Sequence, residues 1–272
     1  MKESYFDEII VIGSGKIASE CVSNLLKKIN KKITIIEHEI ALFSPFSKFS
    51  KHDNINVLKI SEDELLSKYF NEISCRTLVV SANNNYIFKD KFIEKENIFI
   101  INFHNALLPK HRGRNAQMWT IFSGDEYAGA TWHVVNSNID DGDVLIQEKI
   151  QIDSSTTSIE LTKKLINLGI KMFDDIILNI LKCEIKTFKQ KNIPYDIHNS
   201  KELPNQGYID LSKNIEEISL FLRSMDFGKI RIVPYPKILL FGEEFEIISY
   251  NIKQNSLELS LNDNKKLKMD IK

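Results

Sequence analysis

Short, nearly continuous apolar runs alternate with amphipathic stretches along the first 185 residues. Glu8 to Ile12 predicts a buried strand ending at a glycine turn, Ile17 to Lys28 a helix, and Lys32 to Ile36 a second strand. Ser61 and Glu64 have capping-box spacing and should open a helix running to about Phe70. Arg76 to Val80 and Ile98 to Phe103 predict two further strands. Runs without polar alternation belong to strands covered on both faces. Strands alternating with helices predict an α/β fold, with a Rossmann-like, mostly parallel sheet flanked by helices.

Tyr127 to Val135 and Asp143 to Ile150 read as two strands joined by the polar loop Asn136 to Gly142. Thr157 with Glu160 is a second capping box. The helix behind it carries Leu165, Ile166, Met172, Phe173, Ile176, Ile177 and Ile180 on one face, so it should pack on the sheet. The pattern then changes. Residues 189–206 are polar, aperiodic and contain Pro194 and Pro204, which predicts a linker between a catalytic domain (1–188) and a small, mostly β C-terminal domain (207–272). In that tail Asn214 and Glu217 cap a short helix. Four strands should follow: Lys237 to Phe241, Glu244 to Ile252, Leu257 to Leu261 and Lys265 to Ile271.

Composition narrows the function. Hydrophobic residues make up 43% of the 272 and charged residues 27%, an ordinary globular balance. Basic and acidic residues number 36 and 37, so the electrostatic signature of nucleic-acid binding is missing. No uncharged apolar run reaches the roughly 18 residues of a membrane span. Acidic residues at the start, Glu3, Asp7 and Glu8, stand where a signal peptide needs apolar ones. Cys21, Cys75 and Cys183 are far apart, which excludes a disulfide scaffold and a thiolate zinc site and fits a reducing cytoplasm.

Two motifs carry candidate chemistry. Gly13-Ser14-Gly15-Lys16-Ile17-Ala18 fits G-x-G-x-x-A, and Glu37 ends the second strand where a dinucleotide fold places its ribose acid. Backbone N–H groups and a helix N-terminus there suit a phosphate, and alone the motif suggests a nicotinamide oxidoreductase. It is equally a tight strand-to-helix turn. Asn102-Phe103-His104 ends a buried strand, followed by Leu107-Leu108-Pro109-Lys110-His111-Arg112-Gly113, with Asp140 36 positions after His104. Open parallel sheets bind ligands at the carboxyl ends of their strands. Asn102 and His104, two apart, point to one side. An amide, an imidazole and a loop carboxylate around one carbonyl carbon suit acyl transfer. Arg112 and Arg114 flank Gly113 and suit phosphate or carboxylate, although Arg112 reads better as ordering its own loop. His111 and His133 lack ligand-spaced partners and read as structural.

The ordered set Asn102-Phe103-His104, Ala106 to Gly113 and Asp140-Asp141-Gly142 resembles the folate-dependent N-formyltransferases over about residues 8 to 185. The one departure is Ala106, where Ser is common. The resemblance implies 10-formyltetrahydrofolate as co-substrate, a primary amine as acceptor, and no metal or covalent nucleophile. It implies that Asn102 donates to the oxyanion, that His104 acts as an imidazolium, and that Asp140 holds His104 and helps to move a proton from the amine. It places the pterin against Asn85, Tyr86 and Ile87 and against the loop from Asn136 to Asp140. Asp141, one residue off the motif's carboxylate, is expected to tolerate Asn. A non-catalytic folate- or nucleotide-binding module would leave this triad unused.

Three acceptors compete within that resemblance. Residues 201–272 hold eleven basic and eleven acidic residues, and the stretch Glu37 to Asn56 has no basic insertion, which disfavours tRNA. A nucleotide-linked amino sugar fits best, its phosphates held by Gly13, Ser14, Gly15 and Arg114, with the tail dimerising the enzyme or holding the nucleotide. Arg223 to Lys237, with Met225-Asp226-Phe227-Gly228 and Pro234-Tyr235-Pro236, resembles formyltransferases tied to peptide synthesis, so an aminoacyl or carrier-bound amine stands second. The expected partner is thus a small amine in a cytoplasmic homodimer, with neither nucleic acid nor membrane.

Overall fold

A computed structural model describes residues 4–38, 44–194, 196–230 and 232–271. The segment Glu37 to Asn56 lies partly outside them, at 39–43, as do Arg231 and the first three residues. In chain order the elements are β1 (Glu8–Gly13), α1 (Gly15–Lys28), β2 (Ile33–Glu37), β3 (Ile55–Lys59), α2 (Asp63–Glu72), β4 (Thr77–Ala82), α3 (Asp90–Ile93) and β5 (Ile98–His104). Next come β6 (Arg112–Gly113), α4 (Ala116–Phe122), β7 (Tyr127–Val134), β8 (Val144–Gln151), α5 (Ser158–Leu181) and β9 (Ile197–His198). The chain ends with α6 (Ile215–Ser224), β10 (Lys237–Leu240), β11 (Glu243–Lys253), β12 (Ser256–Leu261) and β13 (Lys266–Asp270).

The chain divides into two compact units. The first comprises residues 1–112, 129–149 and 165–195, and the second 113–128, 150–164 and 196–272. A seven-stranded sheet runs in the order β3-β2-β1-β4-β5-β7-β8. β3 through β5 pair in parallel, and β7 joins β5 antiparallel. Every residue of β2 and β4 is buried, including Thr34, Glu37, Thr77 and Ser81 among the apolar positions. One face packs on α1 and α5 through Val22, Leu25, Met172, Phe173 and Ile177, and the other on Leu66, Phe70 and Phe92 of α2 and α3.

The second unit packs α4 and α6 through Met118, Ile218, Phe221 and Leu222 against Phe245, Ile247, Leu257 and Leu259 of a four-stranded sheet. That sheet is antiparallel, in the order β10-β11-β12-β13. The predicted α/β architecture with a mostly β tail is therefore present.

The capping boxes differ in outcome. Asn214 and Glu217 form theirs in full. At the second, the Glu160 carboxylate accepts the Thr157 N–H at 2.9 Å. The Ser61–Glu64 pair forms none: α2 opens after Glu62, and its first acid, Asp63, turns to His38 at 3.0 Å. β3 and α4 are elements the pattern did not suggest. β3 is a half-exposed edge strand with Asn56 breaking its apolar run, and α4 is too short to display a helical period.

Candidate active site

Strand alternation sends Phe103 into the core beside α5 and leaves Asn102 and His104 together on the opposite face of β5. The register Gly13↔Ala82 and Ala82↔Phe103 brings the glycine turn and the Asn-Phe-His motif to the same carboxyl edge of the sheet. Asp140 arrives from the loop between β7 and β8. Its φ is +49°, a left-handed conformation to which Asp is better suited than most residues. Gly142 lets that loop close on β7, since a Cβ there would lie 1.7 Å from the Val134 carbonyl oxygen. The Asp140 carboxylate thereby comes within 3.5 Å of His104 Nδ1 and 3.5 Å of Asn102 Nδ2.

A fourth side chain completes the group. His133, read from the sequence as structural, stands opposite Asn102 in the antiparallel register. Its Nε2 is 3.2 Å from Asn102 Nδ2 and 3.4 Å from Asp140 Oδ1. No spacing in the sequence announces it, because only the pairing of β5 with β7 brings the two together.

The carbonyl partners decide the tautomers. His133 Nδ1 faces the Val134 oxygen at 2.9 Å and carries the hydrogen, so Nε2 accepts from Asn102. His104 Nε2 likewise donates to the His111 oxygen at 2.9 Å, and Nδ1 turns to Asp140. The Ser81 hydroxyl donates to Asn102 Oδ1 at 2.8 Å, which fixes the amide with its N–H groups toward His133 and Asp140. Burial is the largest influence on His104 and holds its pKa below the ordinary 6.5, against the Asp140 carboxylate and the His111 carbonyl, which favour the cation. The resting imidazole is thus neutral near pH 7. The imidazolium implied by the resemblance requires a negative charge to arrive beside it.

Arg112 reaches out of its own loop to the β7–β8 loop and to Gln190. It is buried, and its Nη2 donates to Asp141 Oδ1 at 2.5 Å and to Gln190 Oε1 at 2.7 Å. Asp141 is therefore the charged partner of a buried arginine, which the motif alone does not reveal.

The remaining candidates behave differently from one another. Tyr86 buries its ring beside Phe70 and Phe88 and bonds Ser67 at 3.0 Å, while its backbone N–H and carbonyl are held by the Asn84 side chain at 3.1 and 3.3 Å. Asn85 and Ile87 are exposed. Asn136 accepts the Asn138 N–H at 3.1 Å, and with Phe99 and Val134 it lines a groove of about 450 Å³. Phe99 and Asn102 point to opposite faces of β5, so this groove opens away from the catalytic candidates. Gly13 is dictated by packing, as a Cβ would lie 1.9 Å from the Ala82 oxygen. The Ser14 N–H is engaged by the Ala82 and Asn83 carbonyls. Arg114 belongs to the second unit, where its N–H donates to the His198 oxygen at 2.8 Å. Glu37, the acid of the nicotinamide reading, is buried, accepts from the Ser44 hydroxyl and lies 3.8 Å from Lys59.

The chain is similar to known proteins over most of its length. The family profile described as Formyl transferase matches residues 18–177. The methionyl-tRNA formyltransferase of Clostridioides difficile (strain 630) is 24% identical over 237 residues, covering 80% of this chain and 74% of that protein. The GDP-perosamine N-formyltransferase of Brucella melitensis is 26% identical over 163 residues, 60% of each chain. The N-formyltransferase of Helicobacter canadensis, solved with folinic acid and dTDP-3-aminofucose, has the same fold. Its TM-score is 0.73 at 18% identity, over 96% of this chain and 98% of that one.

Proposed function

This chain belongs to the formyl transferase family, and from that premise we propose that it carries the formyl group of 10-formyltetrahydrofolate to a primary amine on a nucleotide-linked amino sugar. The observation that carries the reading is the convergence of Asn102, His104 and Asp140 on one face at the carboxyl edge of the sheet. In this reading the amine nitrogen attacks the formyl carbon, and the carbonyl oxygen becomes an oxyanion. The Asn102 amide, held by Ser81, releases its long 3.5 Å contact with Asp140 and donates that N–H to the oxygen. The Asp140 carboxylate draws a proton from the amine and passes it to His104 Nδ1. The imidazolium so formed offsets the oxyanion's charge, which is what makes protonation of the buried ring favourable. Collapse breaks the bond from the formyl carbon to the folate nitrogen, and that nitrogen takes the proton. The backbone around Asn85, Tyr86 and Ile87 and the loop from Asn136 to Asp140 read the pterin, while Gly13, Ser14 and Gly15 serve the acceptor's phosphates.

His133 enters this scheme as the partner that holds the second Asn102 N–H. Removing one neutral hydrogen bond costs about 1 kcal/mol, or roughly fivefold in rate. His133→Phe should therefore lower kcat by about that factor while the KM for the amine stays near its wild-type value.

Two of the similar proteins act on or bind nucleotide sugars by name, and the tail's charge balance fits a small acceptor. A homodimer is part of the reading. Leu239, Phe241 and Ile248 stand exposed on β10, its turn and β11, where a second copy would cover them. The free thiols Cys21, Cys75 and Cys183 suit the cytoplasm. The similarity to a methionyl-tRNA formyltransferase supports the second reading, a tRNA-linked or other aminoacyl amine.

Formyl transfer measured across a salt series separates the two. Binding through six or more phosphates falls roughly a thousandfold between 50 and 200 mM salt, whereas a nucleotide sugar with two phosphates should respond far less. The expected result is shallow salt dependence with a dTDP- or UDP-linked 3- or 4-amino sugar and no product on charged initiator tRNA. Efficient, steeply salt-sensitive formylation of methionyl-tRNA would overturn the sugar reading.

A further inference from the structure

Asp140 reaches the catalytic candidates from a loop in a left-handed turn, and something must hold that turn. The carbonyl oxygens of Asp140 and Gly142 converge on a single donor, Gln190 Nε2, at 2.8 and 2.9 Å. On its other side Gln190 Oε1 accepts from Arg112 Nη2 at 2.7 Å, and the same nitrogen reaches Asp141 Oδ1 at 2.5 Å. The turn Asp140-Asp141-Gly142 is thus tied at each of its residues to one Gln190–Arg112 pair. Amide orientation is unambiguous here, because carbonyls only accept and guanidinium only donates.

Gln190 is itself held in place. Phe188 exchanges both backbone hydrogen bonds with Val144, at 2.8 and 3.0 Å, and Lys189 pairs with Asp143 at 2.9 Å. The polar stretch that reads as the start of a linker is therefore zipped against the first residues of β8 and delivers one amide beneath the loop. We propose that Gln190 is a positioning residue, fixing the Asp140 carboxylate against His104 and Asn102.

Its kinetic consequence rests on the formyl-transfer reading, so the test includes a measurement that does not. His104 titrates under the influence of burial, of Asp140 and of its neighbours His133 and His111, and among the charged groups Asp140 is the one that raises it. Gln190→Met keeps the length of the side chain and removes both donors. Gln190→Glu keeps an oxygen for Arg112 and also lacks the donors. With 10-formyltetrahydrofolate and dTDP-3-aminofucose as probes, both variants should lose roughly tenfold or more in kcat, with the amine KM changed less than about threefold. NMR titration of the His104 ring in Gln190→Met should move further below the ordinary value as Asp140 withdraws. Should the Met variant fail to fold, the Glu variant decides by its kcat–KM split. Wild-type kcat together with an unmoved His104 titration overturns the proposal. So does a kcat loss that merely tracks loss of folded protein while His104 titrates as before. If the wild-type enzyme formylates no acceptor, the functional reading fails, and the His104 titration still decides the role of Gln190.

Discussion

Alanine at Asn102 or at His104 is expected to slow formyl transfer at least roughly a hundredfold, the usual consequence of losing an oxyanion donor. Neither change should unfold the protein, because both side chains lie at the end of β5 and face the site rather than the α1/α5 core. Steady-state kinetics with circular dichroism checks both halves of the statement, and near-wild-type turnover by either variant would remove that residue from the mechanism. The pH profile adds a second constraint. His104 faces Asp140, His133 and His111, and burial dominates, holding it below 6.5. A group lowered in this way stays neutral until the pH falls below its ordinary value. The acid limb of kcat/KM attributable to His104 should therefore lie below pH 6.5, and an acid limb above that would contradict the buried, neutral resting ring.

Replacing Asp140 with Asn should abolish detectable activity. The amide cannot take a proton from the amine, and it presents a neutral group to both His104 and His133. The neighbouring substitution separates chemistry from scaffolding. Asp141→Asn keeps the Asp140 carboxylate but replaces the charged partner of buried Arg112 with a neutral amide. It should lower stability, on the order of 1–2 kcal/mol for weakening the partner of a buried guanidinium, and reduce activity only partially through the loop it shares with Asp140. Urea unfolding alongside kinetics distinguishes the two. An inactive but fully stable Asp141→Asn together with an active Asp140→Asn would shift the catalytic position by one residue.

Much of this molecule is written locally. Apolar runs such as Ile9 to Ile12 and Leu78 to Val80 specify strands covered on both faces, since no alternation leaves a side for water. The long α5 was legible because its buried positions repeat at the helical period over 24 residues. Asn102 and His104 were legible as a pair because strand alternation is a local rule, and Asp140 because it completes an ordered motif.

Other features had no local signature. The Ser61–Glu64 box has correct spacing but goes unused, and Asp63 pairs with His38, one residue past β2. β3 becomes a strand because the edge of β2 offers it partners, whatever its interrupted run suggests. His133 enters the site through antiparallel pairing, and register is a property of two strands rather than of either. Gln190 lies 50 residues beyond the loop it bonds, in a stretch with no period at all. The charge state of His104 follows from its burial, a quantity that exists only once the chain has closed around it. Local sequence specifies most of the elements and the face each buried strand offers, because dihedral preference and side-chain periodicity act over a few residues. Tertiary structure alone decided which distant groups share one site and how they ionise, because hydrogen bonds and desolvation depend on distances between segments that the chain's order leaves open.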